Sequence, residues 1–165
     1  MNIRKATMMD LDAIMPIYER ARVFMEENGN PNQWGDGYPQ RDVIEADIQN
    51  ENFYVCEKDD EICGGFALIY GNDPTYDVIE EGAWLNEEPY ATIHRLVSAR
   101  TVQGVAEQCF QWCWERHQNL RIDTHEDNAI MQYVIQKAGF WPCGIIYVRD
   151  KTQRLAFQKV SEFSK

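Results

Sequence analysis

A single α/β domain built on a mixed sheet is the fold this chain predicts, and three observations lead there. Apolar residues recur at three-to-four spacing in several stretches, as amphipathic helices require. Between them lie short runs rich in β-branched and aromatic residues, bounded by polar turns, as strands require. The chain has 165 residues, is 44% hydrophobic and carries five Trp, eight Tyr and seven Phe. That is enough for one compact core and too little for two. No repeat, linker or low-complexity segment divides it, so one domain over residues 1–165 is expected.

In chain order, Met1 to Ala6 reads as a first strand. Thr7 then precedes Leu11, Ile14, Met15, Tyr18, Ala21 and Met25, an amphipathic helix that Pro16 should kink or divide. Asn28 to Pro39 is turn-rich by composition, and Asp42 to Gln49 is a second helix. Phe53 to Glu57 and Cys63 to Tyr70 read as antiparallel strands joined across Lys58-Asp59-Asp60-Glu61. Asn72 to Pro89 is an acidic excursion containing Trp84, after which Ala91 to Ser98 forms a central strand. Val102 to Arg116 is a helix with Val105, Cys109, Phe110 and Cys113 on one side. Leu120 to Thr124 is the next strand and Asp127 to Ala138 the next helix, with Asp127 as N-cap and Gly139 as left-handed C-terminal cap. Ile145 to Val148 and Arg154 to Lys159 close the chain as a hairpin through Asp150-Lys151-Thr152.

Net charge is −11, from 27 acidic and 16 basic groups, which leaves no basic face for nucleic acid. An acidic chain suits cationic acceptors such as amines, although an acidic surface serves solubility as well. The five cysteines (Cys56, Cys63, Cys109, Cys113, Cys143) are odd in number and scattered through apolar segments, as buried reduced thiols would be. Cys109 and Cys113 sit four apart on one helix, but no second ligand pair answers them and no metal is expected. With neither a signal peptide nor an apolar run near eighteen residues, a cytoplasmic protein with no membrane partner is expected.

The stretch from Ala91 to Ala106 runs from a strand through a short loop into a helix that opens on Gln103-Gly104-Val105-Ala106. The first turn of a helix carries orphan amide donors and the positive end of the macrodipole, so it can hold a phosphate or pyrophosphate. A glycine there lets the anion reach the main chain. Further on, Arg121-Ile122-Asp123-Thr124-His125 runs out to a polar tip, followed by Asp127-Asn128 and a helix ending at Lys137-Ala138-Gly139-Phe140.

This pairing resembles the GNAT superfamily of N-acetyltransferases, which carry a strand, a Gly-x-Gly/Ala pyrophosphate loop, a helix, a second strand, an Asn-led helix and a closing Gly-Phe. The resemblance spans nearly the whole chain, from Ile3-Arg4-Lys5-Ala6 to Arg154-Leu155-Ala156-Phe157, and Asn128 lies eleven residues before Gly139 as the second motif requires. The first motif departs from the family: Thr101 stands where Gln or Arg is usual, and Arg100 is one position early. Gly29-Asn30-Pro31-Asn32-Gln33-Trp34 and Ile93-His94-Arg95-Leu96 look like those of a bacterial subgroup.

The resemblance implies a mixed, mostly antiparallel twisted sheet of six to seven strands with about four helices. It also implies acetyl-CoA as co-substrate, its pantetheine arm lying where the Ala91 strand splays from the Leu120 strand. Leu96, Val97 and Ser98 would then offer backbone groups to the acetyl carbonyl and pantetheine amides. Gln103, Gly104, Val105 and Ala106 would offer amides to the pyrophosphate, and Asn128 would contact the pantetheine side. The implied activity is direct acetyl transfer to a primary amine, on a small molecule or a peptide. The alternatives are a non-catalytic acyl-CoA-binding module and a protein-interaction subunit using the aromatic loops; a homodimer is compatible with the sequence.

Acetyl transfer needs a deprotonated amine and a proton for the departing thiolate. Many family members supply the proton from a Tyr seven residues after the motif Asn, where this chain has Ile135. Tyr133, two residues earlier, lies about 200° round the helix. For the base, His94 is placed on the strand that should bear the acetyl group, unless it faces the other side of the sheet and only bonds a neighbour. Asp123 and His125, at the open end of the facing strand, are the other candidates. The acceptor pocket is expected from the N-terminal helices and the two long loops, lined by Trp34, Tyr38 and Trp84.

Overall fold

The computed structural model describes residues 1–161; the last four residues of the expected 1–165 domain lie outside them. Seven strands form one sheet in the order β1-β2-β3-β4-β5-β7-β6. They are β1 (Asn2–Lys5), β2 (Phe53–Lys58), β3 (Glu61–Tyr70), β4 (Ala91–Ser98), β5 (Asn119–Thr124), β6 (Trp141–Tyr147) and β7 (Gln153–Val160). Every neighbouring pair is antiparallel except β4 and β5, which run parallel. The β2–β3 hairpin turns on Asp59 and Asp60, both with positive φ, as a two-residue turn between twisted strands requires.

Helices cover both faces. On one, α1 (Leu11–Glu27) and α2 (Arg41–Gln49) bury Leu11, Ile14, Tyr18, Ile44 and Ile48 against Phe53, Val55, Ala67 and Val97. On the other, α3 (Val105–Arg116) and α4 (Ala129–Lys137) bury Val105, Cys109, Phe110 and Ile135 against Ala91, Ile93, Leu120 and Ile122. A third cluster joins the segment between β3 and β4 to the sheet through Tyr76, Tyr90, Ile146 and Ala156. The alternation of strand residues between these clusters is the period-two pattern of a sheet buried on both sides.

Three local expectations are corrected. Of the two outcomes expected at Pro16, division does not occur: α1 runs through it as one helix. Its missing N–H affects one carbonyl four residues back, at exposed Asp12, while buried Ile14, Ile17 and Tyr18 hold both halves on the sheet. The third helix starts at Val105 rather than Val102, because Gly104 takes a left-handed φ of 74° as its N-cap. The cap of α4 is Asn128 rather than Asp127: the Asn128 Oδ1 accepts from the Met131 N–H at 3.0 Å. Gly139, at φ 98°, does end that helix in the left-handed region.

Candidate active site

The cleft follows from one incomplete pairing. β4 and β5 pair only at Ala91–Leu120 and Thr92–Arg121; beyond Thr92 the β4 edge that faces β5 has no strand partner. The strands part there around a cleft of about 400 Å³. Leu96, Val97 and Ser98 of β4 line it on one side, and the cap residue Asn128 with Ile130, Met131 and Val134 of α4 on the other. Its outer end is the turn into α3, where Gln103, Gly104, Val105 and Ala106 all line the wall. Ala21, Phe24 and Met25 of α1, with Asn30 and Trp34, close it from the α1 side.

That turn sits close to the sheet because of Gly64 on β3, where a Cβ would lie 2.7 Å from the Val97 carbonyl oxygen and 2.9 Å from a Val105 methyl. Around Gly104, by contrast, a Cβ would meet only the flexible ends of Glu107 and Gln108, at 3.4 Å and 4.0 Å. The approach to the first-turn amides is therefore open. Arg100, stacked over the Phe24 ring at 3.5 Å, is the cation at this end.

A β-bulge interrupts β4 just before the cleft residue Leu96; neither His94 nor Arg95 is among the residues that line the cleft. Between Gly65–Val97 and Ala67–His94 the register slips, and Arg95 takes a left-handed φ of 55°. Three segments hold it there. Asp47 of α2 accepts two hydrogen bonds from the Arg95 guanidinium at 2.7 and 2.8 Å, the Tyr38 hydroxyl accepts a third at 3.1 Å, and the Tyr18 hydroxyl donates to the Arg95 carbonyl. The bulge puts His94 and Arg95 on the same side of the sheet. Sequence reasoning missed the bulge, since such positions favour glycine and none stands here.

His94 is half-buried and meets a partner that sequence reasoning also missed. Its Nε2 lies 2.8 Å from Asp73 Oδ2. The other oxygen, Oδ1, accepts from the Thr75 N–H at 2.9 Å and the Thr75 hydroxyl at 2.7 Å. Burial disfavours the Asp73 carboxylate, but the hydrogen bonds from His94 and Thr75 outweigh it and hold the pKa down at about 2. Tyr76 follows, its ring 6.2 Å from that of His94, and its hydroxyl donates to Asp123 Oδ2 at 2.6 Å. His94 and Asp123 thus belong to one cluster, bridged by Tyr76. His125 does not join it: its Nδ1 accepts from the Asp127 N–H at 3.0 Å, within the turn before α4.

The aromatic loop residues have separate places. Trp34 lines the cleft and packs on Tyr18 at 5.4 Å between ring centres. Tyr38 braces Arg95. Trp84 lies off the cleft: its Nε1 donates to the Tyr76 carbonyl, and its ring covers the Arg121 guanidinium at 4.1 Å. Gln33 ties the first loop across the strands. Its side-chain oxygen accepts from Asn30 and Asn128, both at 2.9 Å, and its carbonyl accepts from Arg154 at 3.2 Å. On α4, Ile135 is buried in the core and Tyr133 is 66% exposed, so the cleft wall there is apolar.

The sheet opens between its parallel strands onto the start of α3, and comparison with solved structures identifies the class. An acetyltransferase of the GNAT family from Streptococcus agalactiae is similar at 34% identity, covering 98% of this chain and 95% of its own, with a TM-score of 0.90. GNAT-family acetyltransferases from Bacillus cereus (21% identity, 96% of each chain, TM-score 0.63) and Listeria monocytogenes (18% identity, 96% of this chain and 93% of that one, TM-score 0.70) share the fold. No family model matches the sequence, and no curated protein does. The chain belongs to the GNAT family and is an N-acetyltransferase.

Proposed function

We propose that the enzyme takes its acetyl group from acetyl-CoA seated in the β4–β5 cleft and transfers it directly to a primary amine, on a small molecule or a peptide. The observation that carries this reading is the unpartnered β4 edge leading straight to the open helix start at Gly104. Between Leu96, Val97 and Ser98, the backbone groups on the β5-facing edge have no strand partner and suit an extended amide-bearing arm, which would bond there as another strand would. The amides of Gln103 to Ala106, at the positive end of α3, suit a pyrophosphate. When bound, acetyl-CoA supplies an activated acyl group on a thiol able to leave as thiolate, a cysteine-like thiol titrating at about 8.5. The apolar face of α4 offers no proton donor, so another group or solvent serves. His94 takes the amine proton. Asp123 and His125 remain the alternative bases, and Asn128 borders the pantetheine side.

Calorimetric titration with CoA tests the cleft. Gly104→Glu puts a carboxylate among the first-turn amides and should weaken CoA binding ~10-fold or more, a loss of about 1.4 kcal/mol, with the fold unchanged by circular dichroism. Unchanged affinity would rule this turn out as the phosphate site. A panel of amines, read by thiol release from acetyl-CoA, then tests the base. His94→Ala should lower turnover ~100-fold or more and leave CoA affinity nearly intact.

A further inference from the structure

We propose that Asp73 is the positioning residue of this site: it fixes His94 as the Nε2–H tautomer and leaves Nδ1 as the nitrogen that accepts a proton. The inference rests on the reading of His94 as base and adds which atom acts and what selects it. An ionised carboxylate has no proton to give, so across the 2.8 Å contact Nε2 is the donor. A neutral imidazole that donates through Nε2 carries its lone pair on Nδ1. Among the described residues Nδ1 has no hydrogen-bond partner, so that lone pair is available. The Asp73 carboxylate stays ionised at neutral pH, with its pKa held at about 2.

Asp73 is itself held rigidly. Its N–H donates to the Tyr90 hydroxyl at 2.7 Å, and its Oδ1 caps the short 3₁₀ turn Pro74–Tyr76 through Thr75. With Oδ1 taken by two donors, Oδ2 alone faces the histidine. The ionisable groups around His94 are Asp73 and Tyr76 from that segment, Tyr90 behind Asp73, and Asp123 of β5 at the far side of Tyr76. The next residue, Arg95, turns its charge away onto Asp47. In the transfer, the N–C bond forms as the C–S bond breaks. The electron pair leaves with sulfur, and the amine proton passes to Nδ1 and from there to solvent.

The geometry makes Asp73→Asn a reversal rather than a deletion. The two Thr75 donors claim the amide oxygen, so the amide NH₂ must face His94, turning Nε2 into the acceptor and placing the proton on Nδ1. Long-range ¹H–¹⁵N correlation spectra of the ligand-free protein report the tautomer without any substrate, with His94→Ala identifying the signal among three histidines. The expected result is Nε2–H in the wild type and Nδ1–H in Asp73→Asn. Turnover of the variant should fall ~10²- to 10⁴-fold, the range for a misplaced general base, with KM for acetyl-CoA unchanged and the acidic limb of the rate profile lost. A wild-type ring protonated on Nδ1 overturns the inference even where the variant does not fold. So does an unchanged tautomer in folded Asp73→Asn, or an inverted one with full turnover. Full turnover in His94→Ala sinks the reading of the base instead, a separate outcome.

Discussion

Arg95 takes a conformation that a non-glycine residue adopts at a cost of order 1–3 kcal/mol, and the contacts around it explain why it persists. Asp47, Tyr38 and Tyr18 each bind it, from α2, the first loop and α1. The strain lies next to the cleft residue Leu96, where the register of β4 slips by one residue between His94 and Val97. None of this was legible in Ile93-His94-Arg95-Leu96, because a bulge depends on the partner strand's register. The orientation of Tyr133 was legible, because helical phase is local: two residues from Ile135 is about 200°, and the structure places one in solvent and the other in the core. Tyr133→Phe should therefore keep turnover within about 2-fold of the wild type. A loss of ~100-fold, the size expected for a removed general acid, would place that hydroxyl at the reaction.

The segment between β3 and β4 shows how an element is built from residues that individually signal little. It reads in the sequence as an acidic excursion containing Trp84, and in the structure Tyr76 is fully buried, Trp84 stacks on it at 5.0 Å, and Arg121 lies between Trp84 and Tyr90. Asp73 supplies the polar half of the attachment. Its carboxyl titrates at about 2 in the fold against about 3.9 when free. A depressed carboxylate pKa contributes stability above the free value and loses it as pH falls through the folded one. Thermal unfolding followed from pH 5 to pH 2 should show the wild type losing stability between about pH 4 and pH 2, and Asp73→Asn should lack that component. Equal acid sensitivity in both proteins would mean that Asp73 does not couple this segment to the sheet.

Across the whole molecule, the cysteines report the core. Cys56, Cys63, Cys109 and Cys113 lie in the cluster under α3, with the sulfurs of Cys56 and Cys109 3.4 Å apart, and Cys143 is buried near the sheet edge. Burial raises the Cys113 thiol far above its ordinary value and the Cys143 thiol to about 11, and a thiol that stays protonated is a poor nucleophile. A disulfide reagent at pH 8 should label none of the five in the native protein and all five in denaturant, at a rate that follows unfolding. Fast labelling of the native protein would mean that the core opens locally under α3.

By itself the sequence determined the seven strands and four helices in order, the short turns between them and the small residues at the mouth of α3. Each of these is written in a pattern a few residues long: apolar spacing, turn residues, a glycine after a strand. The tertiary structure alone decided that Asn128 caps α4 in preference to Asp127, that a bulge interrupts β4 at Arg95, and that Asp73 meets His94. A helix period or a turn signal is satisfied within one segment. Asp73 and His94 stand 21 residues apart, on a loop and a strand that carry no shared pattern, and they meet because the sheet register and the burial of Tyr76 bring those two segments together.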